Sequence, residues 1–214
     1  MSLPYTSFII NKLIQNNSYK NYLEIGISSG NTFREVICET KHGVDPNGVD
    51  PNGGDPSKPD VPSFITYPYT SDEFFEHHIE QNYDIVFIDG LHHYDQVVRD
   101  IYNSITHLNT GGIILLHDTK PYSELMQRNP QPEEVRMGGI WTGDVWKAVA
   151  KFRSVETNYI CETIDFDLGV SFIQEGITTP ISIPSDEELT YEYYLTNKEY
   201  ILNFTNNDKY LDGY

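Results

Sequence analysis

At 214 residues the chain is long enough for one domain with a sizeable apolar core. Its 14 Lys and Arg against 32 Asp and Glu leave a net charge of −18, which argues against nucleic acid and anionic membrane as partners. Two cysteines far apart, Cys38 and Cys161, give no disulfide framework or zinc spacing, and neither a membrane-length apolar run nor an opening signal peptide is seen, so a soluble, cytoplasmic protein is expected.

Taken in order, residues Tyr5 to Asn17 place Phe8, Ile9 and Leu13 at near-helical spacing, with Thr6 or Ser7 available as cap. Tyr22–Ile27 reads as a first strand that runs into Ser28-Ser29-Gly30-Asn31 and a helix from Thr32 to about Thr40. Gly43-Val44-Asp45 is a short second strand. A loop follows with a repeated Val-Asp-Pro-Asn-Gly echo, rich in turn formers and lacking the terminal Glu of a calcium-binding EF-hand loop. Phe64–Tyr67 is a third strand, and Ser71-Asp72 is expected to cap a helix through about Gln81, with His77 and His78 facing solvent.

The stretch from Tyr83 to Thr119 carries the strongest signal. Two apolar runs, Ile85–Ile88 and Ile113–Leu116, each end in an acid, Asp89 and Asp118. Such runs read as strands buried on both faces. The segment between them, with a helix from about Asp95 to Leu108, is long enough for a parallel crossover. Both acids then fall at the carboxyl end of an α/β sheet, where ligands bind. His92, His93 and His117 stand beside them in sequence.

The segment from Lys120 to Ile140 has no periodicity and is expected to be a lid or a mobile loop. Asp144 is expected to cap a helix from Val145 to about Phe152. Tyr159–Ile164 and Gly169–Ile173, joined by a short turn, predict an antiparallel hairpin. From Ser185, Leu189, Tyr193, Tyr194, Leu195 and Ile201 predict a late helix with an exposed aromatic stripe that docks on the body or on a second subunit. The expected organisation is one domain over residues 1–180 and a helical tail over 181–214, with homo-oligomerisation through the tail left open.

The glycine loop Glu24-Ile-Gly26-Ile-Ser28-Ser-Gly30 lacks the G-x-G-x-x-G spacing of a dinucleotide fingerprint, which disfavours a nicotinamide-dependent oxidoreductase. Its glycines would let a ligand lie against the backbone at a helix start. Asp45, at the end of strand two, suits a carboxylate accepting from ribose hydroxyls. Together they suggest an adenosine-containing ligand, the alternative being that Gly26 and Gly30 only shape a tight turn.

These motifs, with Ser71-Asp72 and the Phe87-Ile-Asp-Gly…Gly111-Gly…His-Asp block, resemble class I S-adenosylmethionine-dependent methyltransferases over about Tyr22 to Ile173. Within that class the sequence is most similar to the small-molecule O-methyltransferases of the macrocin O-methyltransferase-like group. The resemblance implies a three-layer, Rossmann-like α/β fold with a seven-stranded sheet, mostly parallel with an antiparallel last hairpin. It implies that Glu24, Gly26, Ser28 and Gly30 hold the methionine moiety, Asp45 the ribose, and Ser71 and Asp72 the adenine edge, with Asp89 beside the cofactor.

Two carboxylates about 5 Å apart repel by about 3 kcal/mol at an effective dielectric near 20, so either one is protonated or a cation joins them. The resemblance places metal ligands at Asp89 and Asp118, with Mg²⁺ as the expected ion. His117, beside Asp118, is a further candidate ligand, and an imidazole shifts preference towards a transition metal. His92, three residues after Asp89, is the candidate general base for an acceptor hydroxyl, with Asp89 in a supporting catalytic role. Trp141, Asp144 and Trp146 are candidates to shape the acceptor site, or simply core.

The function expected is methyl transfer to a small hydroxylated acceptor, a sugar or glycosylated metabolite by resemblance. Two readings from other classes stand beside it. One is a catalytically silent S-adenosylmethionine-binding scaffold. The other is a serine hydrolase through Gly26-Ile-Ser28-Ser-Gly30, with Asp89 and His117 in permitted chain order.

Overall fold

A computed structural model describes residues 6–47, 64–79, 81–206 and 208–211. The repeated Val-Asp-Pro-Asn-Gly segment beyond Asn47 lies outside the described residues. The elements in chain order are α1 (Thr6–Asn17), β1 (Asn21–Ile25), α2 (Asn31–Glu35), β2 (Thr40–Val44), β3 (Phe64–Tyr67), α3 (Ser71–His77), β4 (Tyr83–Ile88) and α4 (Tyr94–Thr106). They continue with β5 (Leu108–Leu116), α5 (Glu133–Arg136), α6 (Val145–Val155), β6 (Tyr159–Ile164), β7 (Val170–Glu175), a 3₁₀ turn (Asp186–Glu188), α7 (Tyr191–Leu202) and α8 (Asp208–Leu211). The strands hydrogen-bond in the order β3-β2-β1-β4-β5-β7-β6, seven in one sheet. Two compact units are present, Met1–Gly90 with Asp100–Ile114 and Tyr210–Tyr214, and Leu91–Arg99 with Leu115–Lys209.

In the first unit, β1 pairs parallel with β2 and with β4, and β2 pairs parallel with β3. Their carboxyl ends therefore finish together. The ladder continues one step past each strand: Gly26 N–H donates to the Val44 carbonyl at 2.8 Å and Asp89 N–H to the Ile25 carbonyl at 2.8 Å. Ile85, Val86, Phe87 and Ile88 are all buried, as strands covered on both faces require.

Helix α2 stops at Glu35, well short of the expected Thr40. Val36 turns to extended backbone, and the buried Lys41 explains the stop. Its ammonium donates to the carbonyls of Phe33 at 2.6 Å and Val36 at 2.8 Å, so a cation collects the open acceptors of the helix end. Helix α3 is capped by Thr70 rather than Ser71, through a capping box with Glu73, and ends at His77 rather than Gln81. His77 is exposed, while the ring of His78 stacks on Tyr69 at 3.9 Å.

At the opposite, amino end of β4, Asp84 ties three segments. Its carboxylate accepts from Lys20 N–H at 2.8 Å, Asn21 N–H at 2.9 Å and the Asn109 carboxamide at 2.7 Å.

In the second unit, β6 and β7 form an antiparallel hairpin with Tyr159 opposite Glu175 and Ile164 opposite Val170. Helix α6 runs to Val155, three residues beyond the expected Phe152, and its apolar face is buried through Trp146, Val149 and Phe152. The tail helix α7 packs on α6. Tyr194 is buried with its ring 5.0 Å from Trp146, so the expected exposed stripe is in part an inward face; Leu195 and Tyr200 remain outward. Among the described residues no helix is long and apolar enough to cross a membrane, and both cysteines are free.

Asp84 generates a stability prediction. Burial alone would raise its carboxyl, but the N–H groups of Lys20, Asn109 and Asn21 outweigh that and hold it below the usual carboxylate range. A carboxyl depressed on folding stabilises above its unfolded pKa and loses that contribution as pH falls. Asp84→Ala should cost about 2 kcal/mol in urea unfolding at pH 7, and the deficit relative to the parent should shrink towards pH 3.

Candidate active site

On the first unit the glycine loop is shaped by a close backbone approach. Gly26 has φ +89°, and a Cβ there would lie 2.2 Å from the Asp89 carbonyl oxygen, so no other residue fits. Gly30, at φ +74°, opens α2. Ser28 is exposed and also left-handed, at φ +48°. Its N–H donates to Asp45 Oδ2 at 2.8 Å, and Asn47 N–H donates to Asp45 Oδ1 at 2.9 Å. The buried Asp45 carboxylate thus fixes the loop while each oxygen keeps a further lone pair for a hydroxyl donor. Gly26, Ser28, Gly30, Asp45 and Asp89 gather at the carboxyl ends of β1, β2 and β4. Ser71 and Asp72 lie in the first turn of α3.

Glu24 points into the interior instead. It is 1% exposed, and its Oε2 accepts from the Tyr22 hydroxyl at 2.5 Å. Burial pushes its carboxyl up to about 8 against the opposing Tyr22 hydrogen bond, with the Asp89 charge adding to the rise. At neutral pH the side chain is mainly the uncharged acid, and no sequence pattern announced that state.

On the second unit the informative residue is Asp118. It is 5% exposed and left-handed, at φ +60°, a strained backbone that a neighbouring segment must enforce. That segment is the β6–β7 turn: Thr119 N–H donates to the Gly169 carbonyl at 3.2 Å and Lys120 N–H to the Leu168 carbonyl at 2.6 Å. Lys120 also ion-pairs with Asp165 of the same turn. Beneath, Ser171 Oγ donates to Thr119 Oγ1 at 3.1 Å and shares a 2.7 Å hydrogen bond with Thr163.

The Asp118 carboxylate stands between two imidazoles. Oδ2 is 3.3 Å from His92 Nδ1, and Oδ1 is 3.4 Å from His117 Nδ1. His92 Nδ1 is also 3.1 Å from the Trp141 carbonyl. A carbonyl only accepts, so this bond places the proton on Nδ1 and leaves the lone pair of the neutral ring on Nε2. That tautomer can accept a proton on Nε2.

Asp89, His92 and Asp118 each offer one ligand atom, all within 4.8 Å of one another. Asp118 Oδ1 is buried without a hydrogen bond among the described residues. A buried carboxylate oxygen whose one near partner, His117 Nδ1, stands at ion-pair and not hydrogen-bond distance fits a bound cation. His117, expected among the ligands, stands outside that set: its Nε2 faces Asp167 of the β6–β7 turn at 3.2 Å. With carboxylates near both ring nitrogens, His117 is poorly placed to serve a serine nucleophile, which removes the main support for the hydrolase reading. The sequence offered His92 as the base and His117 as the ligand; the cluster contains His92 and leaves His117 between Asp118 and Asp167.

The segment 120–140, expected as a lid, contains the short α5, and its stem is tied down. Met126 carbonyl accepts from Thr142 and Gly143 N–H at 3.0 and 3.1 Å, and Arg128 carbonyl from Trp141 Nε1 at 2.8 Å. Met137, beyond α5, is 85% exposed. Asp144 occupies the cap position of α6 but makes no side-chain cap bond there. Its Oδ1 accepts from Tyr94 N–H at 2.8 Å instead.

Two stability measurements check this geometry. Glu24 has a folded-state pKa raised from 4.5 to about 8, so its contribution is full below the unfolded value and lost as pH rises through the folded one. Thermal or urea unfolding should show stability falling between those limits by at most about 1.4 kcal/mol per pH unit from this group, and Glu24→Gln should flatten that slope. Gly169 has φ +85°, and a Cβ there would meet Thr119 Oγ1 and Lys120 Cβ at 2.7 Å. Gly169→Ala should cost about 1–3 kcal/mol in the same assay.

Residues 23–119 match the family described as "Methyltransferase domain". A comparison with curated proteins gives no match. Among solved structures, the S-adenosylhomocysteine-bound methyltransferase PaMTH1 of Podospora anserina aligns over 82% of this chain and 80% of its own, at 16% identity and a TM-score of 0.61. An O-methyltransferase of Bacillus cereus in complex with S-adenosylhomocysteine aligns over 82% and 84%, at 11% identity and a TM-score of 0.54. MycE, a methyltransferase of the mycinamycin biosynthetic pathway seen with Mg, S-adenosylhomocysteine and mycinamycin VI, aligns over 81% of this chain and 50% of its own, at 15% identity and a TM-score of 0.51. The chain therefore shares a Rossmann-like α/β fold with these methyltransferase structures, and its residues 23–119 match the methyltransferase-domain family.

Proposed function

We propose that this protein is a cytosolic S-adenosylmethionine-dependent O-methyltransferase of a small hydroxylated acceptor, assisted by a divalent cation. The cluster of Asp89, His92 and Asp118 carries this reading, because it sets two carboxylates and an oriented imidazole in one group on a methyltransferase fold. The macrocin O-methyltransferase-like resemblance makes a sugar or a glycosylated metabolite the first acceptor class to try, and MycE, seen with a macrolide, keeps it in view.

In this reading the glycine loop from Gly26 to Gly30 receives the methionine moiety, and Asp45 accepts from the ribose hydroxyls with the lone pairs that Ser28 and Asn47 leave. Ser71 and Asp72 meet the adenine edge. Glu24 supports the loop from beneath as a buried acid. Asp89 and Asp118 would hold the cation, their hard oxygens suiting Mg²⁺ or Mn²⁺. When bound, the cation would hold the acceptor oxygen and lower its pKa. His92 takes the hydroxyl proton on Nε2, its Nδ1 proton being fixed by the Trp141 carbonyl. The acceptor oxygen attacks the sulfonium methyl in line; the O–CH₃ bond forms, the S–CH₃ bond breaks, and its electron pair returns to sulfur as the neutral thioether. His92 Nε2 cannot bind a cation and remove a proton at once, and we assign it to the proton.

The test uses the intact chain and two probes. Calorimetry with S-adenosylhomocysteine should show binding that Asp45→Ala weakens about tenfold or more. Titration with Mn²⁺, followed by electron paramagnetic resonance, should show binding that Asp118→Asn weakens and His92→Ala leaves unchanged. Failure to bind S-adenosylhomocysteine ends the methyltransferase reading. Loss of Mn²⁺ in His92→Ala reassigns the imidazole from base to ligand.

A further inference from the structure

The backbone around His92 is held by residues the proposed reaction does not itself use. The Asn129 carboxamide, from the stem of the 120–140 segment, donates to the His92 carbonyl at 3.1 Å and also to Asp144 Oδ1. Asp144 itself meets the loop twice: its N–H donates to the His92 carbonyl at 3.3 Å, and its Oδ1 accepts from Tyr94 N–H at 2.8 Å. Lys147 Nζ lies 3.7 Å from Oδ2. The bonds thus fall on both sides of His93, at the carbonyl of His92 and the amide of Tyr94.

The adjoining residue of the stem holds the other end of the imidazole's contact. Arg128 carbonyl accepts from the indole N–H of Trp141, whose own carbonyl meets His92 Nδ1. The Trp141 ring lies 5.3 Å from the His92 ring, tilted by 30°. Two consecutive residues, Arg128 and Asn129, therefore hold both partners of the Nδ1–Trp141 bond, one the acceptor and the other the donor's backbone, beside the second acceptor at that nitrogen, Asp118 Oδ2 at 3.3 Å. A shift of either by a fraction of an ångström lengthens a bond that is already 3.1 Å.

We infer that Asn129 and Asp144 are positioning residues that fix the tautomer of His92. This deepens the assignment of His92 as the base and rests on it. The isolated capping role expected for Asp144 does not account for its bonds, because its carboxylate is directed to the His92 loop and not to its own helix. Outside this clamp, the Asn129 carboxamide makes no further hydrogen bond among the described residues that would give it a separate purpose.

Nuclear magnetic resonance of the imidazole nitrogens on the full chain, at a pH where the ring is neutral, reads the tautomer directly. The parent should show His92 as one Nδ1–H form. Asn129→Asp is nearly isosteric but removes both donated bonds and sets a second carboxylate against Asp144. It should give a mixed Nδ1–H and Nε2–H pattern while S-adenosylhomocysteine affinity stays within about twofold. An unchanged pattern in Asn129→Asp overturns the inference. Should the melting temperature fall as well, the exchange Asn129→Asp with Asp144→Asn decides: it restores an amide–carboxylate bond between the two positions but returns no Asn129 donor to the His92 carbonyl. Recovered melting with a still mixed pattern supports positioning, whereas recovery of both makes the pair merely structural and overturns it. Because S-adenosylhomocysteine binding is measured alongside, failure of the methyltransferase reading shows separately, as a parent that has the single tautomer but binds no cofactor product.

Discussion

The Asp89 carbonyl occupies the space a side chain at Gly26 would need, 2.2 Å from where its Cβ would stand. That contact between the ends of two parallel neighbours, β1 and β4, organises the carboxyl edge of the first unit. It forces the loop after β1 into a left-handed turn, which turns Ser28 N–H towards Asp45. It also sets the backbone of the residue whose carboxylate joins the candidate metal cluster. Parallel pairing is what makes the contact possible, because only parallel strands finish their chains at one edge.

A second constraint acts on Asp118. An aspartate tolerates the left-handed region better than a β-branched residue would, yet it does not stay there unaided. The backbone bonds from Thr119 and Lys120 to the β6–β7 turn hold it, and the turn itself contains three consecutive positive-φ residues, Asp167, Leu168 and Gly169. Strain in one segment is thus matched to strain in another. The antiparallel hairpin closes the sheet order and also forms a rigid support for one carboxylate.

Much of the architecture was legible along the chain. The runs Ile85–Ile88 and Ile113–Leu116 announced buried strands, the segment between them a crossover helix, and the change of pattern after Phe152 an antiparallel pair. Element ends were less legible. Helix α2 stops early because Lys41, in the strand that follows, captures carbonyls at its end. The tail's aromatic residues carried no mark of which face turns inward, since Tyr194 and Tyr193 are alike in type and only packing against Trp146 separates them.

The sequence by itself determined that acids would end parallel strands and that glycines would shape the loop beside them, because strand length, burial and turn chemistry are local properties. Which histidine joins the acids was a tertiary matter. His92 and His117 are equivalent as letters; the Trp141 carbonyl meets the ring of the one in the cluster, and Asp167 of the β6–β7 turn meets the other. The charge state of Glu24 was likewise decided only by folding, since desolvation depends on what surrounds a carboxyl and not on its neighbours in the chain.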